Sequence, residues 1–260
     1  AKNSLNNSFI TWFFLILELL KISWIIKMTN INFNDPAVLQ LYRIRYVDSY
    51  EEFLQLFEEV LDEASERICS NVNKNSEVKN FKDLYDSACK NIQNPDELKK
   101  HVELLQRKLE DDISCRIVDY LDSKGFISTH DPNNKGHVDI LVQNQSKKFK
   151  WIGEAKLYGG DRYHQKGLYQ LINDYSTGRK FESGGVLIYL NKTKYSVKEV
   201  MQSWDAHLKE LARDPNNRLE KFTSEFDEHT SSIFYSQHIH HKSGDPYRIR
   251  HCCLDIRIDF

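Results

Sequence analysis

A chain of 260 residues with 40% hydrophobic and 12% aromatic side chains can bury a large core, which indicates a globular protein. The 36 Lys and Arg residues nearly balance the 38 Asp and Glu residues, so a global basic field is excluded and any hold on nucleic acid must come from a local patch. The five cysteines are odd in number and lack Cys-x-x-Cys spacing, which predicts reduced thiols in a cytoplasmic protein.

The first 27 residues pose a separate question, because residues 9–26 are almost entirely apolar and nearly long enough to span a bilayer. Glu18 and Lys21 interrupt this run, and each charge costs roughly 2.5 to 3.5 kcal/mol at the centre of an inserted helix. Met28 opens a stretch that is typical of an ordinary protein start. We therefore expect residues 1–27 either not to belong to the natural product or to form a plain buried helix, and we expect no membrane partner. A membrane anchor is the alternative.

Helical periodicity dominates the chain up to residue 123. Apolar residues recur every three or four positions between Ala37 and Ser70, with acidic residues on the opposite face. A second helical region begins near Phe81. A long helix is then predicted for residues 96–123, and Gly125 ends it.

The periodicity changes after this glycine. Short β-branched or aromatic runs predict four strands, in the sequences FISTH, HVDILVQ, FKWIGEAKLY and GGVLIYLN. Between the third and the fourth, HQKGLYQLINDYSTG has helical spacing and ends in Gly178. A further helix, SVKEVMQSWDAHLKELARD, precedes a strand pair that turns at KSGDP.

Two of the predicted strands carry charges where a strand is usually apolar. Glu154 and Lys156 lie two residues apart and therefore share one face of their strand. If the preceding strand is its neighbour, Asp139 comes close to Glu154. Close carboxylates repel each other unless a cation lies between them, which predicts a bound metal, and oxygen ligands favour Mg²⁺ or Mn²⁺ over zinc. For any single residue, a surface ion pair on an edge strand is the alternative.

Asp139, followed fifteen positions later by Glu154-Ala155-Lys156 in the order helix, three strands, helix, strand, resembles the PD-(D/E)xK nuclease superfamily. The resemblance covers roughly residues 104–190, and Val138 stands where many members have Pro. It implies an α/β protein with a restriction-endonuclease-like core, an N-terminal helical region and a C-terminal helix plus strand pair. The expected parts are an apolar segment at 1–27, a helical region at 28–95, the nuclease core at 96–195 and the C-terminal extension at 196–260.

The same resemblance implies roles for the charged strand residues. Asp139 and Glu154 become metal ligands for Mg²⁺ or Mn²⁺, with the backbone carbonyl of Ala155 as a further candidate. Lys156 would orient or activate the attacking water and neutralise charge that develops on the phosphate.

Many members of the superfamily add an acidic residue from the helix before the first strand. Glu110 lies one turn before Ile113 on the buried stripe of that helix, so we expect it to be this catalytic and metal-binding acid. Asp111 is the alternative.

The second helix of the resemblance carries further candidates. Gln170 and Tyr175 look similar to a Gln and a Tyr that face the catalytic centre or the nucleic-acid backbone in several branches, and Gln170 is included among the catalytic residues. Arg162, Lys166 and Arg179 flank this helix and, together with Tyr175, are predicted to contact nucleic acid. The alternatives are that Gln170 is an ordinary residue at the boundary of the core and that the basic residues are solvated surface charges.

Six residues near the C-terminus invite a zinc site: His238, His240, His241, His251, Cys252 and Cys253. Strand alternation places His238 and His240 on one face and His241 on the other. The two close ligand pairs of a structural zinc site are therefore missing, and zinc is not expected.

The resemblance implies a metal-dependent endonuclease that hydrolyses phosphodiester bonds, with DNA favoured over RNA because most of the superfamily cuts DNA. By analogy we expect a role in prokaryotic defence against mobile elements or viruses. Whether the protein forms a homodimer and whether it has an activating partner protein are left open by the sequence. The alternatives are a catalytically silent binding or scaffold module with the same fold and a membrane-anchored nuclease effector.

Overall fold

The computed structural model describes residue 32 and residues 34–70, 76–131 and 138–258. The predicted apolar segment at 1–27, with its membrane-anchor alternative, lies outside the described residues. Within those described ranges, no helix combines the length and the apolar composition needed to cross a bilayer. The chain divides into two units, Ala1–Arg43 and Ile44–Phe260, and the sheet belongs to the second.

Among the described residues, four helices precede the sheet: α1 (Pro36–Tyr46), α2 (Tyr50–Ser70), α3 (Ser76–Asn91) and α4 (Pro95–Ser123). The side chain of Asn94 caps α4 by accepting from the N–H groups of Asp96 and Glu97, and Pro95 occupies the first turn, where its missing N–H leaves no bond unmade. The long predicted helix is therefore present.

Seven strands form one mixed sheet in the described part of the chain: β1 (Ile127–Asp131), β2 (Val138–Gln143), β3 (Lys150–Leu157), β4 (Glu182–Leu190), β5 (Glu220–Phe226), β6 (Ile233–Ile239) and β7 (Pro246–Asp255). Their order across the sheet is β1-β2-β3-β4-β7-β6-β5. β4 pairs in parallel with β3 and β7, and the other neighbours are antiparallel. The protein is thus of the predicted α/β class, and β3 is an inner strand.

Two helices follow β3. The crossover from β3 to β4 consists of α5 (Asp161–Tyr169), which continues directly into a π-helical turn (Gln170–Tyr175). α6 (Val197–Leu211) lies between β4 and β5 and begins with a capping box formed by Ser196 and Glu199. Both helices pack on one face of the sheet, where their apolar residues meet those of β3 and β4.

The C-terminal part differs from the prediction in one strand. The predicted pair is present as β6 and β7, but sequence periodicity missed β5, the edge strand that pairs with β6. None of its side chains is fully buried, so it lacks an apolar signal. β7 pairs with β4, so the residues after 196 continue the same sheet. The domain boundaries predicted at 95 and 195 stay predictions.

Trp151 fixes the packing of the other face, which α2 and α4 cover. Its indole lies 4.6 Å from the Phe57 ring, centroid to centroid. A Cβ at Gly153 would lie 2.5 Å from Trp151 Cζ3, and one at Gly185 would overlap the same indole. Glycines in two neighbouring strands therefore make room for one large aromatic side chain.

Three buried histidines stay uncharged beside the apolar layer on the opposite face, where they contact Trp204 or Tyr247. Trp204 Nε1 donates to His251 Nδ1 at 3.0 Å, and the Nε2 of His251 lies 2.8 Å from Ser236 Oγ. Burial lowers the pKa of His251 to about 3 and the pKa values of His164 and His238 to about 4. At these three positions the folded protein therefore binds fewer protons in mild acid than the unfolded chain does.

We predict that the three histidines destabilise the protein as the pH falls from about 6.5 towards 4, because in the unfolded state they take up protons that the folded state excludes. Glu110 and Glu154, whose pKa values are raised in the folded protein, act in the opposite direction. Each such histidine lowers the free energy of unfolding by up to about 1.4 kcal/mol for each pH unit of acidification in this window. His251→Gln should therefore show a shallower fall in melting temperature between about pH 7 and about pH 5 than the parent does. His101→Gln, at an exposed position on α4, is the control and should follow the parent. Parallel curves for all three proteins would contradict the prediction.

Candidate active site

A cleft of about 470 Å³ brings together all five residues that the sequence predicts as catalytic. Its lining consists of Arg107, Glu110, Asp111, His130, Asp139, Glu154, Lys156, Tyr163, Lys166 and Gln170. These residues come from α4, β1, β2, β3, α5 and the π-helical turn. The cleft is therefore built by tertiary contacts between segments that are far apart in the chain.

The register of β2 against β3 sets the position of the first carboxylate. Ile140 pairs with Gly153, so Asp139 stands opposite Glu154 in the antiparallel pair. Asp139 Oδ2 accepts a hydrogen bond from the Ala155 N–H at 2.7 Å. The predicted proximity of Asp139 to Glu154 is thus a feature of the fold.

Glu154 and Lys156 form a buried pair on an inner strand. Lys156 Nζ donates to Glu154 Oε1 at 2.6 Å, and only 1% of the Glu154 side chain and 15% of the Lys156 side chain are exposed. The alternative of a surface pair on an edge strand therefore does not describe these two residues. Glu154 Oε2 is buried and has no hydrogen-bond partner among the described residues.

Burial and mutual repulsion shift the pKa values of this cluster. Burial raises the pKa of Glu154 to about 8, the nearby Asp139 adds to the rise, and Lys156 opposes it. Burial likewise raises the pKa of Asp139. Burial alone would lower the pKa of Lys156, but Glu154 and Asp139 outweigh it and hold that pKa above its usual range. The ammonium is therefore charged at neutral pH, whereas burial favours the protonated form of Glu154.

The structure places Glu110, rather than Asp111, inside the site. Glu110 is 8% exposed, and its Oε1 accepts from the Leu157 N–H at 2.7 Å and from the Tyr163 hydroxyl at 3.4 Å. Burial raises the pKa of Glu110 to about 7. The Asp111 side chain is 59% exposed at the mouth of the cleft, with Oδ1 3.7 Å from His130 Nε2. The position inferred from the helical stripe thus agrees with the geometry.

The π-helical turn positions Gln170 and Tyr175. Gln170 Nε2 donates to the Tyr175 hydroxyl at 3.3 Å, and the Ser176 N–H closes the turn on the Leu171 carbonyl at 2.9 Å. Burial, followed by the charges of Glu154 and Asp139, raises the pKa of Tyr175. Such turns occur often at functional sites, and this one carries a cleft residue at its first position.

Gly167 lets α5 approach the charged pair closely. A Cβ at this position would lie 3.1 Å from Glu154 Cγ and 3.1 Å from Lys156 Cγ. The absence of a side chain therefore sets how far α5 stands from the pair.

The predicted nucleic-acid contacts divide between the cleft and other surfaces. Lys166 lines the cleft, with its Nζ 5.9 Å from the centroid of the Tyr163 ring. Arg162 is exposed on α5, and Arg179 is exposed in the loop before β4. Neither of these arginines is among the residues that line the cleft.

Sequence periodicity missed three residues of the cleft, namely Arg107, His130 and Tyr163. His130 Nδ1 lies 2.7 Å from the Asp139 carbonyl oxygen, which holds the end of β1 against β2. None of the three belongs to the Asp…Glu-x-Lys pattern. Only the strand pairing and the packing of α4 and α5 reveal them.

The donor atoms of the cleft are chemically suited to a hard divalent cation. Four carboxyl side chains, those of Glu110, Asp111, Asp139 and Glu154, line the cleft. The buried, unpartnered Glu154 Oε2 is an oxygen that a cation would satisfy. Within the described ranges, however, no group of three or more His, Cys, Asp or Glu side chains is arranged to hold a metal ion, and this includes the histidines and cysteines near the C-terminus. Mg²⁺ or Mn²⁺ therefore stays a proposal.

We predict that the Glu154–Lys156 pair adds little to stability. Lys156→Met should lower the free energy of unfolding by about 2 kcal/mol, because it leaves the buried Glu154 carboxyl group without its hydrogen-bond partner. Glu154→Gln combined with Lys156→Met should return to within about 1 kcal/mol of the parent, since a buried pair is about as stable as neutral side chains of similar size. Urea unfolding in EDTA measures both. A double variant less stable than the single one would show that the pair is a structural element.

No protein-family model, curated protein or solved structure matches this chain. The comparisons therefore assign no family, and the resemblance to the PD-(D/E)xK nucleases depends on the residues and their arrangement alone.

Proposed function

We propose that this protein is a metal-dependent endonuclease with a restriction-endonuclease-like core. The observation that carries the proposal is the buried Glu154, which has one unpartnered oxygen and lies opposite Asp139 and beside Lys156. A scaffold has no use for such a cluster, because burying charges on an inner strand costs free energy. Functional sites are where perturbed carboxyl pKa values of this kind concentrate.

The order of elements supports the same core. α4, β1 to β3, α5 and β4 follow one another as helix, three strands, helix and strand, and β3 and β4 are parallel neighbours. The charged residues lie on β2 and β3, and the acidic residue of the first helix lies beside the end of β3. This arrangement corresponds to the one that the resemblance implies.

Each residue of the cleft has a distinct role in the proposed reaction. Asp139 and Glu154, with Glu110 as a third carboxylate, would hold Mg²⁺ or Mn²⁺. When bound, this cation polarises the phosphate and lowers the pKa of its water. Lys156, which is held in its charged form, stabilises the negative charge that develops on the phosphate oxygens. Gln170, the first residue of the π-helical turn, lines the cleft and orients the attacking water or the phosphate.

The substrate is nucleic acid, with DNA favoured over RNA. Lys166 and Arg107 line the cleft and supply positive charge at its rim, where the phosphates of a bound strand would lie. A cytoplasmic location and a role in defence against mobile elements or viruses belong to the same proposal and rest on analogy.

One observation favours the alternative of a catalytically silent module. Lys156 Nζ already satisfies Glu154 Oε1 directly, so the pair is partly neutralised without any cation. A silent module would keep this contact and would bind nucleic acid without cutting it. Activity assays with divalent cations separate the two functions.

We predict that Asp139→Ala and Glu154→Ala abolish cleavage and weaken Mg²⁺ binding, because each removes a ligand. Lys156→Ala should lower the cleavage rate about a hundredfold or more but retain Mg²⁺ binding, because the ammonium is not a ligand. The matched control is Lys150→Ala, which breaks a second ion pair on the same strand, with Glu182, away from the cleft. Plasmid cleavage with and without EDTA and calorimetric Mg²⁺ titration measure these effects.

Two results would contradict this proposal. A parent protein that leaves plasmid and single-stranded DNA and RNA intact with Mg²⁺ and Mn²⁺ would exclude the nuclease. Equal loss of cleavage in the Lys150 variant would show that β3 as a whole, rather than its charged pair, is sensitive to substitution.

We further predict that Glu110→Gln reduces cleavage at least about tenfold more than Asp111→Asn does, because only Glu110 is buried in the cleft and bonded to β3. Both substitutions keep the size of the side chain and remove one charge, so each serves as the control for the other. Initial cleavage rates at saturating Mg²⁺ are compared. A larger effect at Asp111 would reverse the assignment of the third carboxylate.

A further inference from the structure

A second cavity, of about 520 Å³, lies between the α6–β5 connection and the β6–β7 turn. It shares no lining residue with the cleft. Its charged and titratable lining residues are Arg213, Arg218, Lys221, His240, His241 and Glu220. We call it the basic cavity, because three of these residues are cationic and only Glu220 is acidic.

The backbone of the basic cavity is unusual at two of its cationic residues. Arg218 has a φ of 59° at the end of a short 3₁₀ turn, and Lys221 has a φ of 54° where the register of β5 against β6 shifts. Long side chains rarely adopt this left-handed conformation, which Gly and Asn adopt readily. Folding alone would therefore favour Gly or Asn at both positions, so the presence of two basic side chains there points to a use for their charge.

Two of the three positive charges of this cavity lack an acidic partner, whereas Arg213 pairs with Glu210. The Lys221 side chain forms no hydrogen bond or ion pair within the described part of the chain. Arg218 donates to the neutral Asn173 Oδ1 at 2.9 Å and lies 3.4 Å from His241 Nε2. Burial, followed by the charges of Arg218 and Lys242, lowers the pKa of His241. The local field is therefore positive.

Hydrogen bonds join the wall of the basic cavity to the π-helical turn, whose first residue lines the cleft. Lys242 Nζ donates to the carbonyl oxygens of Asn173 and Ser176, at 2.6 and 2.9 Å. Gly178 packs against His240 so closely that any Cβ there would overlap the imidazole. Arg179, which the sequence predicts as a nucleic-acid contact, is the next residue. Arg179 therefore follows, in the chain, a residue that contacts the lining of the basic cavity.

We propose that the basic cavity is a phosphate-binding site and that it takes the sugar-phosphate backbone of a nucleic acid outside the cleft. Arginine and lysine side chains that lack acidic partners are the usual protein ligands of phosphate oxygens. The nucleic-acid source of the phosphate rests on the proposed nuclease function. A free phosphate or a nucleotide presents the same chemistry.

The decisive variant is Arg218→Asn combined with Lys221→Asn, because asparagine keeps the left-handed backbone while removing both charges. We expect its melting temperature to equal or exceed that of the parent. Its affinity for a fluorescein-labelled DNA duplex, measured by anisotropy in EDTA, should fall about tenfold, and the salt dependence of binding should lose about two counterions. The control is Lys90→Gln combined with Lys99→Gln, which removes two exposed lysines from α3 and α4 and should bind DNA like the parent.

A second arm separates the sources of phosphate. Inorganic phosphate should raise the melting temperature of the parent more than that of the double asparagine variant. If the double substitution changes this phosphate effect but not DNA affinity, the site exists and takes free phosphate or a nucleotide. If it changes neither, the phosphate-binding site is refuted. Should the double variant melt lower than the parent, Lys221→Asn alone, which removes no hydrogen bond seen in the fold, gives the same comparison.

These experiments test the nuclease proposal and the phosphate-site proposal independently. Binding is measured in EDTA, where no cleavage takes place, and cleavage is measured with Mg²⁺ at saturating DNA. A protein that loses DNA affinity on the double substitution but never cuts would retain the phosphate site and refute the nuclease.

Discussion

The antiparallel register of β2 on β3 is the constraint on which the candidate site depends. With Ile140 opposite Gly153, the carboxylate of Asp139 meets the Ala155 N–H and stands beside Glu154. A slip of one residue would turn Glu154 and Lys156 to the opposite face. That face is occupied by Trp151, which tolerates only glycine at its two neighbouring strand positions. The packing of one face therefore enforces the chemistry of the other.

The site is held in an environment that disfavours its charges. Burial raises the pKa values of Glu154 and Glu110, and Gly167 brings α5 directly over the charged pair. Burial of the two apolar layers, one on each side of the sheet, offsets the free-energy cost of burying these charges. Such a cluster persists because the surrounding core determines its geometry, and a core without function would be at least as stable with neutral side chains.

Sequence patterns predicted those parts of the molecule that depend on local periodicity. Strand alternation placed Glu154 and Lys156 on one face, and the apolar stripe of α4 placed Glu110 in the cleft. The edge strand β5 gave no apolar signal, because water covers most of its side chains. Likewise, His130 and Tyr163 reach the cleft only through packing between distant segments, which no local period encodes.

The π-helical turn connects the two proposed sites physically. Its first residue, Gln170, lines the cleft, whereas its fourth, Asn173, is bonded to Arg218 and Lys242 at the basic cavity. The i→i+5 hydrogen bonding of this turn, as from the Ser176 N–H to the Leu171 carbonyl, sets how these two residues are placed relative to each other. If a nucleic-acid strand occupies the basic cavity, its phosphate contacts act on the same six residues that carry Gln170 and Tyr175. Under the proposed function, binding outside the cleft would then act on the segment that carries Gln170.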